Sequence, residues 1–138
     1  MSQSEMRSGG CLCGNIRYSV PSQPAGVVVC HCRDCQKQAG SAFSLIAVYP
    51  QALLSLDGKS SVFETTGASG NPVTRHFCNV CGSPIYSETH SGRQAGLAFI
   101  KAGTLDDVSD LTPSAHFWVS SKQPWVDVAE GMASIPQE

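Results

Sequence analysis

Two cysteine pairs decide the fold of this chain: Gly9-Gly10-Cys11-Leu12-Cys13-Gly14 near its start and Cys78-Asn79-Val80-Cys81-Gly82 far along it. On extended backbone, side chains two residues apart lie on one face, and a C-x-x-C turn also brings two sulfurs together. Tetrahedral zinc needs sulfurs about 3.8 Å apart, so two such pairs can enclose one ion. We therefore predict a structural zinc site that joins the first strand to a later hairpin, with the ligands Cys11, Cys13, Cys78 and Cys81.

Two simpler interpretations of this cysteine set stay open: reduced structural cysteines, or a disulfide. A glycine follows each pair (Gly14 and Gly82), which allows backbone amides to face the sulfurs and favours zinc. Residues 1–10 carry no apolar segment typical of a signal peptide, so we expect a cytoplasmic protein. Because thiols stay reduced in the cytoplasm, clustered cysteines there indicate metal more often than disulfides.

Three further cysteines lie close together in the segment Cys30-His31-Cys32-Arg33-Asp34-Cys35. Three protein ligands with an open fourth position are typical of catalytic zinc. We therefore predict a second zinc ion on Cys30, Cys32 and Cys35, and we regard these residues as the catalytic site, where a substrate thiol would be held as thiolate. The histidine and the aspartate inside the segment, together with His116, are candidates for carrying the proton.

This second cysteine set also allows other interpretations. It could be another structural site, with His31 or a distant histidine as fourth ligand. It could also be a thiol switch that loses zinc and forms a disulfide on oxidation. The sequence therefore leaves open a non-catalytic zinc-binding interaction module and a redox or metal sensor, beside an enzyme.

The rest of the chain shows the alternation of apolar and polar residues that is typical of short strands, as in Ile16, Tyr18 and Val20. The 138 residues, 41% of them hydrophobic, predict one domain over residues 1–138, and 13 glycines and 8 prolines predict many turns. Only residues 33–39 have a helical pattern, and we expect loose ends at roughly residues 1–8 and 132–138. The pattern predicts a mainly β fold of two small antiparallel sheets with little helix.

Charge and hydropathy argue against two classes of partner. The formal net charge is −2 and the chain has no run of lysine or arginine, which argues against nucleic acid. No run of about 18 apolar residues occurs, so we predict no membrane span. The pattern does not indicate an oligomeric state.

Three segments resemble the glutathione-dependent formaldehyde-activating enzyme family, which includes domains similar to centromere protein V. The first is the opening cysteine pair with Ile16-Arg17-Tyr18 after it, and the second is Cys30-His31-Cys32-Arg33-Asp34-Cys35-Gln36-Lys37 with Gly40-Ser41-Ala42-Phe43. The third is Arg75-His76-Phe77-Cys78-Asn79-Val80-Cys81-Gly82-Ser83. The resemblance extends over about residues 9–125.

The resemblance implies a β-tent fold, in which two antiparallel sheets meet along one edge and a structural zinc joins them. It also implies a structural zinc on the two cysteine pairs and a second zinc on the three-cysteine segment. The activity that it implies joins glutathione to formaldehyde, giving S-hydroxymethylglutathione, which is carbon–sulfur lyase chemistry in the synthetic direction. A small-molecule thiol such as glutathione would then be the partner.

Overall fold

The computed structural model describes residues 5–67, 70–129 and 131–136. Strands dominate this part of the chain, and neither of its two short α-helices is long and apolar enough to cross a membrane. The elements in chain order are β1 (Met6–Gly10), β2 (Arg17–Pro21), β3 (Gly26–Cys30), α1 (Arg33–Ala39), β4 (Ser44–Pro50), β5 (Ser55–Asp57), β6 (Ser61–Thr66), β7 (Pro72–Phe77), β8 (Pro84–Thr89), α2 (His90–Ala95), β9 (Leu97–Lys101), β10 (Ala115–Phe117) and β11 (Ala133–Ile135).

The strands form two sheets, which confirms the predicted mainly β fold with little helix. The smaller sheet has the order β1-β2-β5 and is antiparallel. The larger sheet has the order β11-β10-β3-β4-β9-β8-β7-β6. It has eight strands rather than a few, and β10 runs parallel to both of its neighbours. Parallel neighbours cannot be joined by a tight hairpin, and β10 is indeed far from β3 in the sequence and separated from β11 by residues 118–132.

The ends of the described chain are more ordered than the sequence predicted. Residues 6–8 belong to β1, which pairs with β2, and residues 133–135 form β11 at the edge of the larger sheet. Neither strand shows an apolar alternation, so neither was visible in the sequence. Gly9 explains why β1 can lie so close to β2, since a Cβ atom at this position would lie 2.5 Å from the ring of Tyr18.

The two faces of the larger sheet have different environments. One face packs against the smaller sheet, and residues such as Ala47, Ile85 and Ile100 are fully buried there. On the paired strands β4 and β9, the alternate side chains, among them Val48 and Phe99, point to the opposite face and are only half-buried. The core therefore lies between the sheets, and the opposite face of the larger sheet is open to a cavity.

Replacing Ile100 with alanine should test this core. Ile100 is fully buried between Ala47 and Tyr86, its partners on the two neighbouring strands. We expect Ile100→Ala to lower the free energy of unfolding by about 2–5 kcal/mol, measured by urea denaturation. Val62→Ala is the control, because Val62 is 51% exposed on the edge strand β6 and should change stability by less than about 0.5 kcal/mol. If both variants lost the same free energy of unfolding, Ile100 would not belong to the core of the protein.

Candidate metal centres and an adjoining cavity

The four cysteines of the two pairs come together at the junction of the two sheets. Cys11 and Cys13 follow β1 of the smaller sheet, whereas Cys78 and Cys81 follow β7 of the larger sheet. The Sγ atom of Cys13 lies 3.6 Å from that of Cys11 and 3.8 Å from that of Cys78. All four sulfurs lie within 4.8 Å of one another. These distances match the spacing of about 3.8 Å between thiolates around a tetrahedral zinc ion.

Two tight turns hold these sulfurs in place. The N–H group of Gly14 donates to the carbonyl of Cys11 over 3.1 Å, and that of Gly82 donates to the carbonyl of Cys78 over 2.8 Å. Both glycines have left-handed backbone, with φ of 82° and 81°. Residues that carry a Cβ atom disfavour this conformation, so each turn requires the glycine that follows the cysteine pair.

Hydrogen-bond donors lie beside three of the four sulfurs. The backbone N–H of Ile16 donates to the Sγ of Cys11 over 3.2 Å, and the N–H of Val80 donates to the Sγ of Cys78 over 3.4 Å. The hydroxyl of Ser83 lies 3.2 Å from the Sγ of Cys81 and lowers the pKa of that thiol to about 5. Such donors favour the ionised sulfur, which is the form that binds a metal.

The other three cysteines form a second cluster at the opposite face of the larger sheet. Cys30 is the last residue of β3, Cys32 is the N-cap of α1, and Cys35 lies in the first turn of that helix. Their sulfurs also lie within 4.8 Å of one another. The N–H of Cys35 donates to the Sγ of Cys32 over 3.2 Å, so the start of the helix fixes two of the three sulfurs.

Cys32 has the thiol of this cluster that ionises most readily. The thiols of Cys30 and Cys35 donate hydrogen bonds to the sulfur of Cys32 and lower its pKa to about 2. The pKa of the Cys30 thiol is raised, because its proton is held by the ionised Cys32. Without a cation only part of the cluster can ionise, whereas a metal ion would favour loss of the remaining protons.

The two histidines considered as ligands or proton carriers contact each other inside the protein. His31 is fully buried, and its Nε2 atom lies 2.8 Å from the Nδ1 atom of His116. Among the described residues, neither histidine belongs to a sulfur cluster or lines the adjoining cavity. The structure therefore places His31 and His116 in a buried pair. Asp34 does lie on the wall of the cavity.

A cavity of about 570 Å³ opens directly on the three-cysteine cluster. Much of its wall is apolar, with side chains from β3, β4, β9 and β10 and from the segment after β10. These side chains are Val28, Ile46, Val48, Phe99, Phe117 and Trp118. Trp118 has a φ of 61°, a left-handed conformation that is unusual for a bulky residue and is often retained at functional sites.

Two buried cations line the same cavity. Lys101 and Arg75 are each 6% exposed. The Nζ of Lys101 donates to the hydroxyl of Ser44 over 2.8 Å, and a guanidinium nitrogen of Arg75 donates to the side-chain oxygen of Gln38 over 3.3 Å. Within the described chain, neither cation has a carboxylate within 4.0 Å. Burial lowers the pKa of Lys101, while the neighbouring sulfur of Cys35 favours its charged form.

Arg75 and Lys101 are site residues that the sequence did not reveal. In the sequence, Arg75 and Lys101 occur in otherwise ordinary short strands. The signal that could have found them is their register, since Lys101 lies two residues after Phe99 and therefore on the same face. That face can be identified as a cavity wall only once the strand order is known.

Comparisons with known proteins agree with this geometry. Residues 6–121 match the family model described as glutathione-dependent formaldehyde-activating enzyme. A protein of Aspergillus flavus carries the same name provisionally and is 26% identical to this chain over 114 residues. The match covers 80% of this chain and 59% of the relative. A provisionally named relative of Halomonas elongata is 29% identical over 127 residues, 87% of this chain and 79% of the relative. This chain thus spans about three fifths of the length of the Aspergillus relative.

A crystal structure of a Rhodobacter sphaeroides protein shares the fold, with a TM-score of 0.58 and 17% sequence identity. The similarity covers 75% of this chain and 91% of that protein. The family match includes all seven cysteines, which lie between residues 11 and 81. The chain therefore belongs to the glutathione-dependent formaldehyde-activating enzyme family.

Proposed function

We propose that this protein is a zinc-dependent, carbon–sulfur lyase-like enzyme that acts on a glutathione adduct or on the adduct of another small thiol. Its reaction would resemble the synthesis of S-hydroxymethylglutathione. One observation carries the proposal: the three-cysteine cluster opens on a cavity of about 570 Å³. The four-cysteine cluster, in contrast, lies at the sheet junction, where Cys11 and Cys78 are buried in the core.

The donor sets of both clusters suit zinc. Thiolates are soft ligands that favour zinc over magnesium or calcium. The four-cysteine cluster can complete a tetrahedral shell by itself, which is typical of a structural site. The three-cysteine cluster leaves one position for a ligand from the cavity. Cys30, Cys32 and Cys35 would hold the second ion, and Cys11, Cys13, Cys78 and Cys81 the first.

The proposed reaction adds a thiol to a carbonyl carbon. The carbon–sulfur bond forms as the carbonyl π bond breaks, and the proton that leaves the thiol ends on the oxygen, so no oxidant is needed. When bound at the three cysteines, zinc would supply the positive charge that keeps a thiol ionised at neutral pH. Holding both reactants in the cavity contributes up to about 7–11 kcal/mol in the best cases.

The residues around the cluster provide the remaining electrostatics. Lys101 is a buried cation on the cavity wall, placed to stabilise the negative charge that develops on the carbonyl oxygen. Arg75 lies on the same wall and favours the ionised state of Cys32. Asp34 is exposed at the rim, where it can pass the thiol proton to solvent or to the product.

The zinc-loaded protein should therefore accelerate the exchange between formaldehyde, glutathione and their adduct. NMR exchange spectroscopy measures both directions of this reaction with and without protein. Acceleration that depends on zinc supports the proposal. No acceleration with glutathione or with other small thiols, in a protein that holds both zinc ions, would contradict it. That result would favour a non-catalytic zinc-binding interaction module.

Removing the charge of Lys101 should slow this reaction. We expect Lys101→Met to lower kcat by about 100-fold with little change in KM, since the loss of one group that stabilises an oxyanion typically costs this much. Methionine has a similar length and lacks the charge, so the zinc content should stay at the wild-type value. Lys59→Met is the control, because Lys59 is exposed and lies outside the cavity. Equal kcat values in the two variants would show that Lys101 does not assist the reaction.

A further inference from the structure

The cavity beside the three cysteines is larger and more apolar than formaldehyde requires. Formaldehyde has a single carbon atom, whereas a volume of about 570 Å³ lies within the range of pockets that enclose whole drug-sized molecules. Six apolar side chains, those of Val28, Ile46, Val48, Phe99, Phe117 and Trp118, contribute to the wall. A one-carbon substrate would leave most of this surface without a partner.

The half-buried state of these side chains shows that they face the cavity. Along β4, Ala47 and Tyr49 are fully buried. The residues that alternate with them, Ile46 and Val48, are only half-buried. Along β9, Ala98 and Ile100 are fully buried, while Phe99 is not. Strand alternation places the incompletely buried residues on one face, so they form a continuous apolar surface.

Glutathione matches this apolar surface poorly. It carries two carboxylates and an ammonium group, and burying charged groups against apolar walls is costly unless each finds a partner. The buried cations Arg75 and Lys101 belong to the same wall and can each pair with one carboxylate. The other charged residues of the cavity, Arg33, Asp34 and His90, are exposed at its rim. A polar thiol can therefore extend between these cations and the rim with its sulfur at the cysteines, which leaves the apolar part of the wall to the second reactant.

We propose that the second reactant is an aldehyde with a branched or aromatic body, which the apolar wall of the cavity binds. This inference rests on the proposed function and adds the class of the electrophile. The reaction is the same addition, so the thiol sulfur bonds to the aldehyde carbon and the thiol proton ends on the oxygen. The aldehyde body packs against Val48, Phe99 and Trp118, while its carbonyl group points to the cysteines and Lys101.

A series of aldehydes tests this inference. Formaldehyde, acetaldehyde, 3-methylbutanal and benzaldehyde are each mixed with glutathione, and the catalysed rate is divided by the uncatalysed rate of the same pair. This ratio removes the difference in intrinsic reactivity between the aldehydes. We expect a ratio at least about tenfold larger for the two bulky aldehydes than for formaldehyde, because each methylene that fits an apolar pocket contributes about tenfold or more.

Filling the cavity should remove this preference. We expect Val48→Phe to lower the ratio for benzaldehyde at least about tenfold more than the ratio for formaldehyde. Val62→Phe is the matched control, because Val62 lies outside the cavity on the edge strand β6 and is 51% exposed. It should leave the preference as in the wild type.

Binding of an unreactive probe gives a readout that does not depend on turnover. In a Trp125→Phe background Trp118 is the only tryptophan, and benzyl alcohol should change its fluorescence in a saturable way, whereas methanol should not. Val48→Phe should weaken this binding at least about tenfold.

The outcomes separate the two proposals. If the ratio of catalysed to uncatalysed rate is as large for formaldehyde as for benzaldehyde, or larger, the proposal of an apolar aldehyde is wrong. The proposed function would still stand. Absence of catalysis with every aldehyde would overturn both. Failure of benzyl alcohol to bind, or equal binding in Val48→Phe, would also overturn the apolar electrophile.

Discussion

Replacing Cys78 with serine should prevent the protein from folding at 25 °C. Cys78 is fully buried, and its sulfur belongs to the cluster that joins the two sheets. Structural zinc contributes apparent binding energies of about 10–16 kcal/mol in small peptides, which is comparable to the whole stability of a typical domain. Losing one thiolate removes a large part of this energy. Circular dichroism and chemical denaturation should show no cooperative transition in Cys78→Ser.

The same turn offers a matched control. Val80 lies two residues after Cys78 and is 69% exposed, so Val80→Ser introduces the same residue without removing a sulfur. We expect it to fold and to hold as much zinc as the wild type. If Cys78→Ser unfolded cooperatively with the same midpoint denaturant concentration as the wild type, the four sulfurs would not be what holds the fold together.

Replacing Cys32 with serine should have the opposite effect, with the fold kept and the activity lost. Serine is itself a favoured N-cap residue, so α1 should still begin at the same position. The cluster would keep only two of its three sulfurs, and the zinc content should fall to about one ion per chain. Exchange between glutathione and its formaldehyde adduct should then be no faster than without protein.

Elemental analysis and circular dichroism on the same sample check both parts of this expectation. The two cysteine variants should have different defects. Cys78→Ser should lose the fold, whereas Cys32→Ser should keep the fold and lose only the zinc ion beside the cavity. If Cys32→Ser still held two zinc ions, the second metal site would not be the three-cysteine cluster.

The grouping of the cysteines could be predicted because it depends on local geometry. C-x-C and C-x-x-C spacings bring sulfurs together within a few residues, and the structure places the sulfurs of each set within 4.8 Å. The zinc ions themselves stay a prediction. Most strands could also be predicted, since alternating segments such as residues 16–20 show one buried face without any knowledge of their neighbours.

The cavity could not be predicted, because it depends on pairings between distant strands. Val48 and Phe99 are partners across β4 and β9, although about 50 residues separate them in the sequence. The helix α2 was also missed, because His90 and Ser91 begin a polar segment that has the composition of a loop. Its start depends on the Thr89 hydroxyl, which accepts from the N–H of Gly92 over 2.9 Å.

The most direct test is a chelator titration of the purified, zinc-loaded protein, in which zinc release and circular dichroism are recorded together. We expect about two zinc ions per chain. The ion at the three-cysteine cluster should be released to a weak chelator while the fold is kept, since only three thiolates at an open cavity hold it. The ion at the four-cysteine cluster should be released only as the protein unfolds. A folded protein that is free of metal, or one that never binds more than one ion, would contradict the account.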